Sequence, residues 1–240
     1  MLSHLIELRS RLLKASAAVL VLFVALVPFA EIIFTVVAQP LMEQLPGEMI
    51  ATQPASTFLT PFKTTFFVAL FLAMPVVLYQ IWRFVAPGLY KKEKRFAFPL
   101  LISSILLFYG GVSFAYFVVF PLMFGFFAAV TPEGVTMMTD ISAYLDFILM
   151  LFFAFGVAFE VPIATVMLVW TGLIGIDTLR KSRAYVFLGA FVVGMFLTPP
   201  DAISQTLLAI PIYLLYEAGI VLCRMLGAER EKAEENSIAG

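Results

Sequence analysis

Six long apolar runs, separated by short polar stretches, dominate this chain. The first four are Leu12–Phe34, Phe62–Trp82, Phe96–Phe120 and Tyr144–Thr171. Each reaches the roughly 20 residues that a helix needs to cross a hydrocarbon core about 30 Å thick. The fourth is long enough to tilt or to extend past the core. The fifth run, Ala184–Leu197, is followed at once by TPPD and then by a sixth, Ser204–Leu222. At 1.5 Å per residue the fifth run covers roughly 21 Å, short of the core thickness. Two arrangements fit: a hairpin of two helices that thins the bilayer locally, or one bent re-entrant element. Pro199-Pro200 as a stop and Asp201 as an N-cap favour the hairpin. The pattern predicts an all-α polytopic membrane protein with six transmembrane helices in a single domain over residues 1–222. The polar tail, residues 223–240, is predicted to lack regular structure.

Composition agrees with that solvent. Hydrophobic residues make up 62% and charged residues 13%, where soluble domains run nearer half and a quarter. Mean hydropathy is +1.02. One cysteine, Cys223, excludes an internal disulfide and a thiolate metal cluster, and one histidine, His4, argues against a metal site. No cofactor is expected. The first run is too long for a cleaved signal segment and is expected to remain as an anchor.

Charge gives the orientation. Every Lys and Arg except Lys63 falls before or at the start of the first run, in the second-to-third loop, in the fourth-to-fifth loop or in the tail. The positive-inside rule then puts both termini in the cytoplasm. Lys63 stands alone at the opposite mouth of the second run. No internal repeat is evident, which counts against an inverted-repeat transporter.

The acids near the membrane carry the candidate chemistry. Glu160 lies within FGVAFEVPIATVMLVW, two residues before Pro162. An intramembrane carboxyl costs a few kcal/mol on insertion scales and is a functional-site hypothesis by default. It either faces a polar groove that receives a partner or substrate, or it is neutral and hydrogen-bonded to a neighbouring helix. Glu217 is nearer the cytoplasmic end and is read first as structural, paired with Arg224 or with loop bases; Glu31 can reach water. In HLIELRSRLL, Leu5, Leu8 and Leu12 share helical spacing, with Glu7, Arg9 and Arg11 on other faces. Anionic lipid accounts for the arginines but not for Glu7. In FVAPGLYKKEKR, Glu93 stands among four bases. It is either a solvated ion-pair partner or, with Glu7, one of two cytoplasmic carboxylates suited to a guanidinium-bearing ligand. The two proline-marked outer loops, with Phe124, Phe126 and Phe127, are expected to form short helices capping the bundle.

Two other classes are weaker. A proton-coupled transporter would use Glu160 but calls for a repeat or paired broken helices. An intramembrane hydrolase needs a nucleophile with a base, or two facing acids. His4 lies in the cytoplasmic segment, and Glu160 has no acid mate at its depth, so no enzymatic activity is expected.

Five stretches carry a resemblance: HLIELRSRL, FVAPGLYKKEKR, LLFYGGVSFAYFVVFP, FGVAFEVP and FLTPPDAISQTLLAIPIYLLYE. In this order they resemble the TatC family, the multispanning receptor subunit of the twin-arginine translocase, over about Leu2–Glu217. The resemblance implies a glove-shaped concave bundle with short fifth and sixth helices in a bacterial cytoplasmic (inner) membrane. It implies recognition of the twin-arginine signal peptides of folded cargo and transport driven by the proton-motive force. The implied partners are TatA-type and TatB-type single-span proteins, further copies of the chain in a multimeric complex, and membrane lipid, with no nucleic acid. Residue by residue, Glu93 and Glu7 match the arginine-binding acids, while Phe84, Pro87 and Leu89 match positions shaping that site. Glu160 matches the family's buried acid, and Met195, Thr198 and Gln205 match a polar group where partner helices dock. Pro40 matches a sensitive position in the outer cap. Only Met1, Leu2 and Ser3 precede His4, a shorter leader than is usual in the family.

Overall fold

The computed structural model of the chain describes residues 2–42, 50–85, 97–132, 139–197 and 202–238. Regular structure among these residues is helical, apart from one isolated bridge between Ile50 and Asp140. In hydrocarbon every backbone polar group must be satisfied within its own segment, and a helix does this. Helix α1 (Leu2–Leu26) continues through a 3-10 turn, Val27–Phe29, into α2 (Ala30–Met42). Helix α3 spans Pro54–Val85. Helix α4 (Ala97–Phe114) passes through a π-helical turn, Ala115–Val119, into α5 (Phe120–Val130). Next come α6 (Ile141–Ala158), α7 (Val161–Trp170), the short α8 (Ile176–Lys181), α9 (Arg183–Leu197) and α10 (Ala202–Ile238).

Among the described residues, five helices are long and apolar enough to cross a membrane: Leu5–Gln39, Pro54–Phe84, Phe98–Val130, Ile141–Trp170 and Ala202–Met225. Helix α9 is apolar but has only 15 residues, roughly 22 Å of rise.

Three details differ from the sequence pattern. The apolar residues beyond Phe34 and beyond Phe120 do not form separate cap helices where they are described; they prolong the helices before them as α2 and α5. The π turn accommodates Pro121, which has no N–H to donate: Phe120 N–H reaches back to the Ala115 carbonyl. Helix α10 runs to Ile238, through the tail expected to be irregular. Its Ala, Glu, Lys and Arg residues are strong helix formers, and their propensity outweighs the lack of apolar residues.

The chain divides into two compact units. In the first, residues 1–87 and 112–154, α1 and α2 pack along α3, with Phe23 edge-on to Phe66 at 5.7 Å. Thr60, Thr64 and Thr65 on α3 are buried, and each hydroxyl donates to a carbonyl one turn back, so none needs water. Phe124 stacks edge-on against Tyr144 and Phe147 across α5 and α6.

Long-range polar contacts tie this unit at one end. Asp140 Oδ2 accepts from the Thr52 hydroxyl at 2.6 Å and from Thr52 N–H at 2.8 Å. Its Oδ1 accepts from the N–H groups of Ser142 and Ala143 at the start of α6, the N-cap arrangement. Lys63, the base set apart by the charge pattern, pairs with Asp146 at 2.7 Å. Both are about half exposed, so the pair contributes at most about 1 kcal/mol.

In the second unit, residues 88–111 and 155–240, α10 packs on α7 and α9. Val166, Leu179, Tyr216, Ile220 and Cys223 form a buried cluster, and the Tyr216 hydroxyl donates to the Leu179 carbonyl at 2.7 Å. Gly219 lets α10 approach α7, since a Cβ there would lie 3.0 Å from Pro162 Cα. Gly172, at φ 71°, follows α7 in the left-handed region where glycine carries no penalty.

The Asp140 clasp has a pH signature. The Thr52 hydroxyl, followed by the backbone N–H groups, holds the Asp140 carboxyl from its ordinary 3.8 down to about 2. A depressed folded-state pKa gives stability that is complete above the unfolded value and is lost as pH falls through the folded one. The melting temperature of the wild type in detergent is therefore expected to exceed that of Asp140→Ala by a constant margin above about pH 4, narrowing as pH falls toward about 2. A margin independent of pH would count against the clasp.

Candidate functional site

The site is built where α4 meets the junction of α6 and α7. Ser104, Phe108 and Gly111 are spaced four and three residues apart, so they share one face of α4. Gly111 lies against α6, where a Cβ would sit 2.9 Å from the Phe155 carbonyl carbon. Gly156 lies against α4 in turn, where a Cβ would sit 2.5 Å from the Phe108 ring. Small residues of this kind let helix backbones come close in a membrane.

At this contact the fourth long helix is interrupted. Helix α6 ends at Ala158, a turn covers Phe159 and Glu160, and α7 starts at Val161. Pro162 has no N–H for the Ala158 carbonyl. Glu160 N–H bonds to the Val157 carbonyl at 3.0 Å, a tighter turn than α, while the Glu160 carbonyl accepts from Ala164 N–H at 2.8 Å. The side chain is half-buried. Its Oε2 accepts from the hydroxyl of Ser104, which is completely buried. Its Oε1 is buried and has no hydrogen-bond partner among the described residues. Leaving a buried acceptor unmet costs about 1–3 kcal/mol, and more when it carries charge.

Glu217 forms the contrast. Its Oε2 accepts from Arg183 Nη2 at 2.7 Å and its Oε1 from the Tyr213 hydroxyl at 3.0 Å. Both oxygens are satisfied, and the base is Arg183, the first residue of α9, instead of Arg224. This carboxylate fastens α10 to α9, whereas Glu160 keeps an open acceptor.

The other expected site residues are distributed as follows. Glu7 is on α1 and forms an ion pair with Arg11, one turn on. Phe84 is half-buried near the end of α3. Pro87, Leu89, Glu93 and Thr198 lie outside the described residues. Pro40 is within α2. Met195 is exposed on α9, and Gln205, half-buried on α10, faces Gly194 of α9 at about 3.5 Å from where a Cβ would stand. Helix α10 thus meets α9 at Gly194, the residue before Met195. Ser104 was not found from the sequence; the one signal for it is the Ser103-Ser104 pair interrupting the third apolar run. No group of three or more metal-ligating side chains occurs among the described residues.

Several long apolar helices, an intramembrane carboxyl with an open acceptor and a short apolar α9 define a multi-pass helical membrane protein with a polar site in its second unit. Over its length the chain matches one family. The family profile described as Sec-independent protein translocase protein (TatC) covers residues 3–211, and the chain belongs to this family. The Sec-independent protein translocase protein TatC of Azotobacter chroococcum is 64% identical over 222 residues, 92% of this chain and 87% of the relative. Its counterpart in Escherichia coli is 57% identical over 237 residues, 98% of this chain and 92% of the relative. A solved structure described as the twin arginine translocase receptor TatC superposes with a TM-score of 0.84 at 39% identity, covering 92% of this chain and 98% of that one.

The Ser104–Glu160 contact is testable by a double-mutant cycle. Ser104→Ala is expected to destabilise the protein in detergent by about 1–3 kcal/mol, because it strips the donor from a buried carboxyl. In a Glu160→Leu background the same change is expected to cost far less. Equal costs in both backgrounds would mean that the contact contributes nothing.

Proposed function

We propose that this chain is the signal-peptide receptor subunit of a twin-arginine translocase. The observation that carries the reading is the match over nearly its whole length to a solved twin-arginine translocase receptor. On this reading the chain crosses the membrane six times with both termini in the cytoplasm, α9 and α10 making the short last hairpin. The one-sided placement of Lys and Arg supports that orientation.

The proposed mechanism follows from the chemistry of the acids. The two arginines of a signal peptide arrive at the cytoplasmic face and meet Glu7 and Glu93, beside Phe84, Pro87 and Leu89. Each charge-assisted hydrogen bond at such a surface contributes about 1.5–3 kcal/mol. The apolar part of the signal peptide then inserts into the bilayer along the chain. Glu160, with Oε1 buried and open, receives a polar group from the inserted segment or from a partner helix. The exposed apolar surface of α9, including Met195 and Phe196, docks a single-span partner of the TatA or TatB type, with Thr198 and Gln205 as its polar contacts. Pro40 shapes the outer end. Transport draws on the proton-motive force, and the domain ends near Leu222.

A photocrosslinker placed at Leu89 in membranes is expected to capture a signal peptide carrying Arg-Arg and not its Lys-Lys counterpart. Glu93→Ala is expected to lower that capture at least about tenfold, the loss of one charge-assisted bond. Equal capture of both peptides would sink the receptor reading. Topology has its own check. Cys223 is buried, so a Pro200→Cys variant is expected to react with an impermeant thiol reagent from outside the cell only. Labelling from the cytoplasm alone would replace the hairpin with a re-entrant element.

A further inference from the structure

Glu7 already holds a guanidinium in this structure. Arg11 Nε donates to Glu7 Oε1 at 3.1 Å, and Arg11 Nη2 donates to the same oxygen. The arginine side chain is 14% exposed and the glutamate 34%. The cation therefore sits on the packed side, and the carboxylate is the more accessible partner. The order, with the acid four residues before the base, is the favourable one on a helix. The neighbouring bases behave differently: Arg9 and Lys14 are exposed.

We propose that Arg11 is a specificity-determining residue of the arginine-binding site. It fixes the Glu7 carboxylate in one orientation and cancels its charge, so that the site selects the planar fork of a guanidinium over the point charge of an ammonium. The proposal rests on the reading of Glu7 given above. A bare carboxylate attracts arginine and lysine alike, because Coulomb attraction has no shape. A carboxylate whose charge is already balanced attracts through directional hydrogen bonds, and there the two cations differ. Arginine presents several N–H groups in a rigid plane that matches a carboxylate edge, whereas lysine presents a compact, strongly hydrated head. A carboxylate has about four acceptor sites, enough to hold a second guanidinium beside the first. Arg11 acts through Glu7 and is a positioning group.

The test is the ratio of affinities for two fluorescent peptides, identical except for Arg-Arg or Lys-Lys, titrated onto the full chain in lipid nanodiscs with its translocase partners. Wild type is expected to prefer Arg-Arg. In Arg11→Gln the preference is expected to fall about tenfold, mainly because Lys-Lys binds more tightly, the scale of one charge-assisted hydrogen bond. In Arg11→Lys, which keeps the cation and loses the fork, it is expected to fall by a smaller factor of about three. A ratio unchanged in either folded variant overturns the proposal. An equal gain for both peptides also overturns it and makes Arg11 a plain competitor for Glu7. Glu7→Gln separates the two levels of the argument: if it leaves Arg-Arg affinity untouched, Glu7 is not an arginine site and the proposal falls with that reading.

Discussion

A carboxyl group placed among apolar side chains needs a donor, and here the donor arrives because two helices approach at glycine distance. Gly111 meets the backbone at Phe155, and Gly156 meets the ring of Phe108. With a Cβ at either position the helices would be pushed apart, and the Ser104 hydroxyl would no longer reach Glu160. The polar site of this unit therefore depends on two absent methyl groups as much as on the acid. In a membrane no hydrophobic force holds helices together, so close packing of this kind carries the association.

The helix break at Phe159–Glu160 complements that contact. Pro162 deprives the Ala158 carbonyl of its usual donor and the turn tightens before α7. Glu160 thus sits at a bend, where its side chain leaves the helix at the junction and not along a regular face. One of its oxygens is met by Ser104 and the other is buried without a partner among the described residues. Glu217, a short way along α10, has both oxygens engaged by Arg183 and Tyr213. The same residue type serves as a fastening in one place and as a poised acceptor in the other, and the difference lies entirely in what stands opposite.

The surface acids extend this logic. Glu7 is accompanied by Arg11 on its own helix, and Asp140 by Thr52 and the first turn of α6. Lys63, isolated in the charge pattern, finds Asp146. Each of these charged groups is given a counterpart, which limits the cost of holding it near a low-dielectric medium.

Much was legible from residue order. The apolar runs marked the long helices, because a segment in hydrocarbon must satisfy its own backbone and a helix does so from local composition alone. The cost of Glu160 was visible because its neighbours in sequence are apolar, and the break was visible in Pro162. The Glu7–Arg11 pair was within reach too, since four residues along a helix is a local spacing. The ends of helices were less legible: α2, α5 and the tail of α10 prolong their helices past the expected limits, because helical continuation depends on propensity and on what a turn such as Ala115–Val119 can absorb. Only tertiary structure decided which donors met Glu160 and Glu217. Glu217 and Arg224 lie seven residues apart, roughly 10 Å along the axis, whereas Arg183 is brought to Glu217 by the packing of α9 on α10. Ser104 and Glu160 are 56 positions apart, and no periodicity links them. Their meeting is a consequence of helix packing, which the glycines permit and which composition along one helix does not encode.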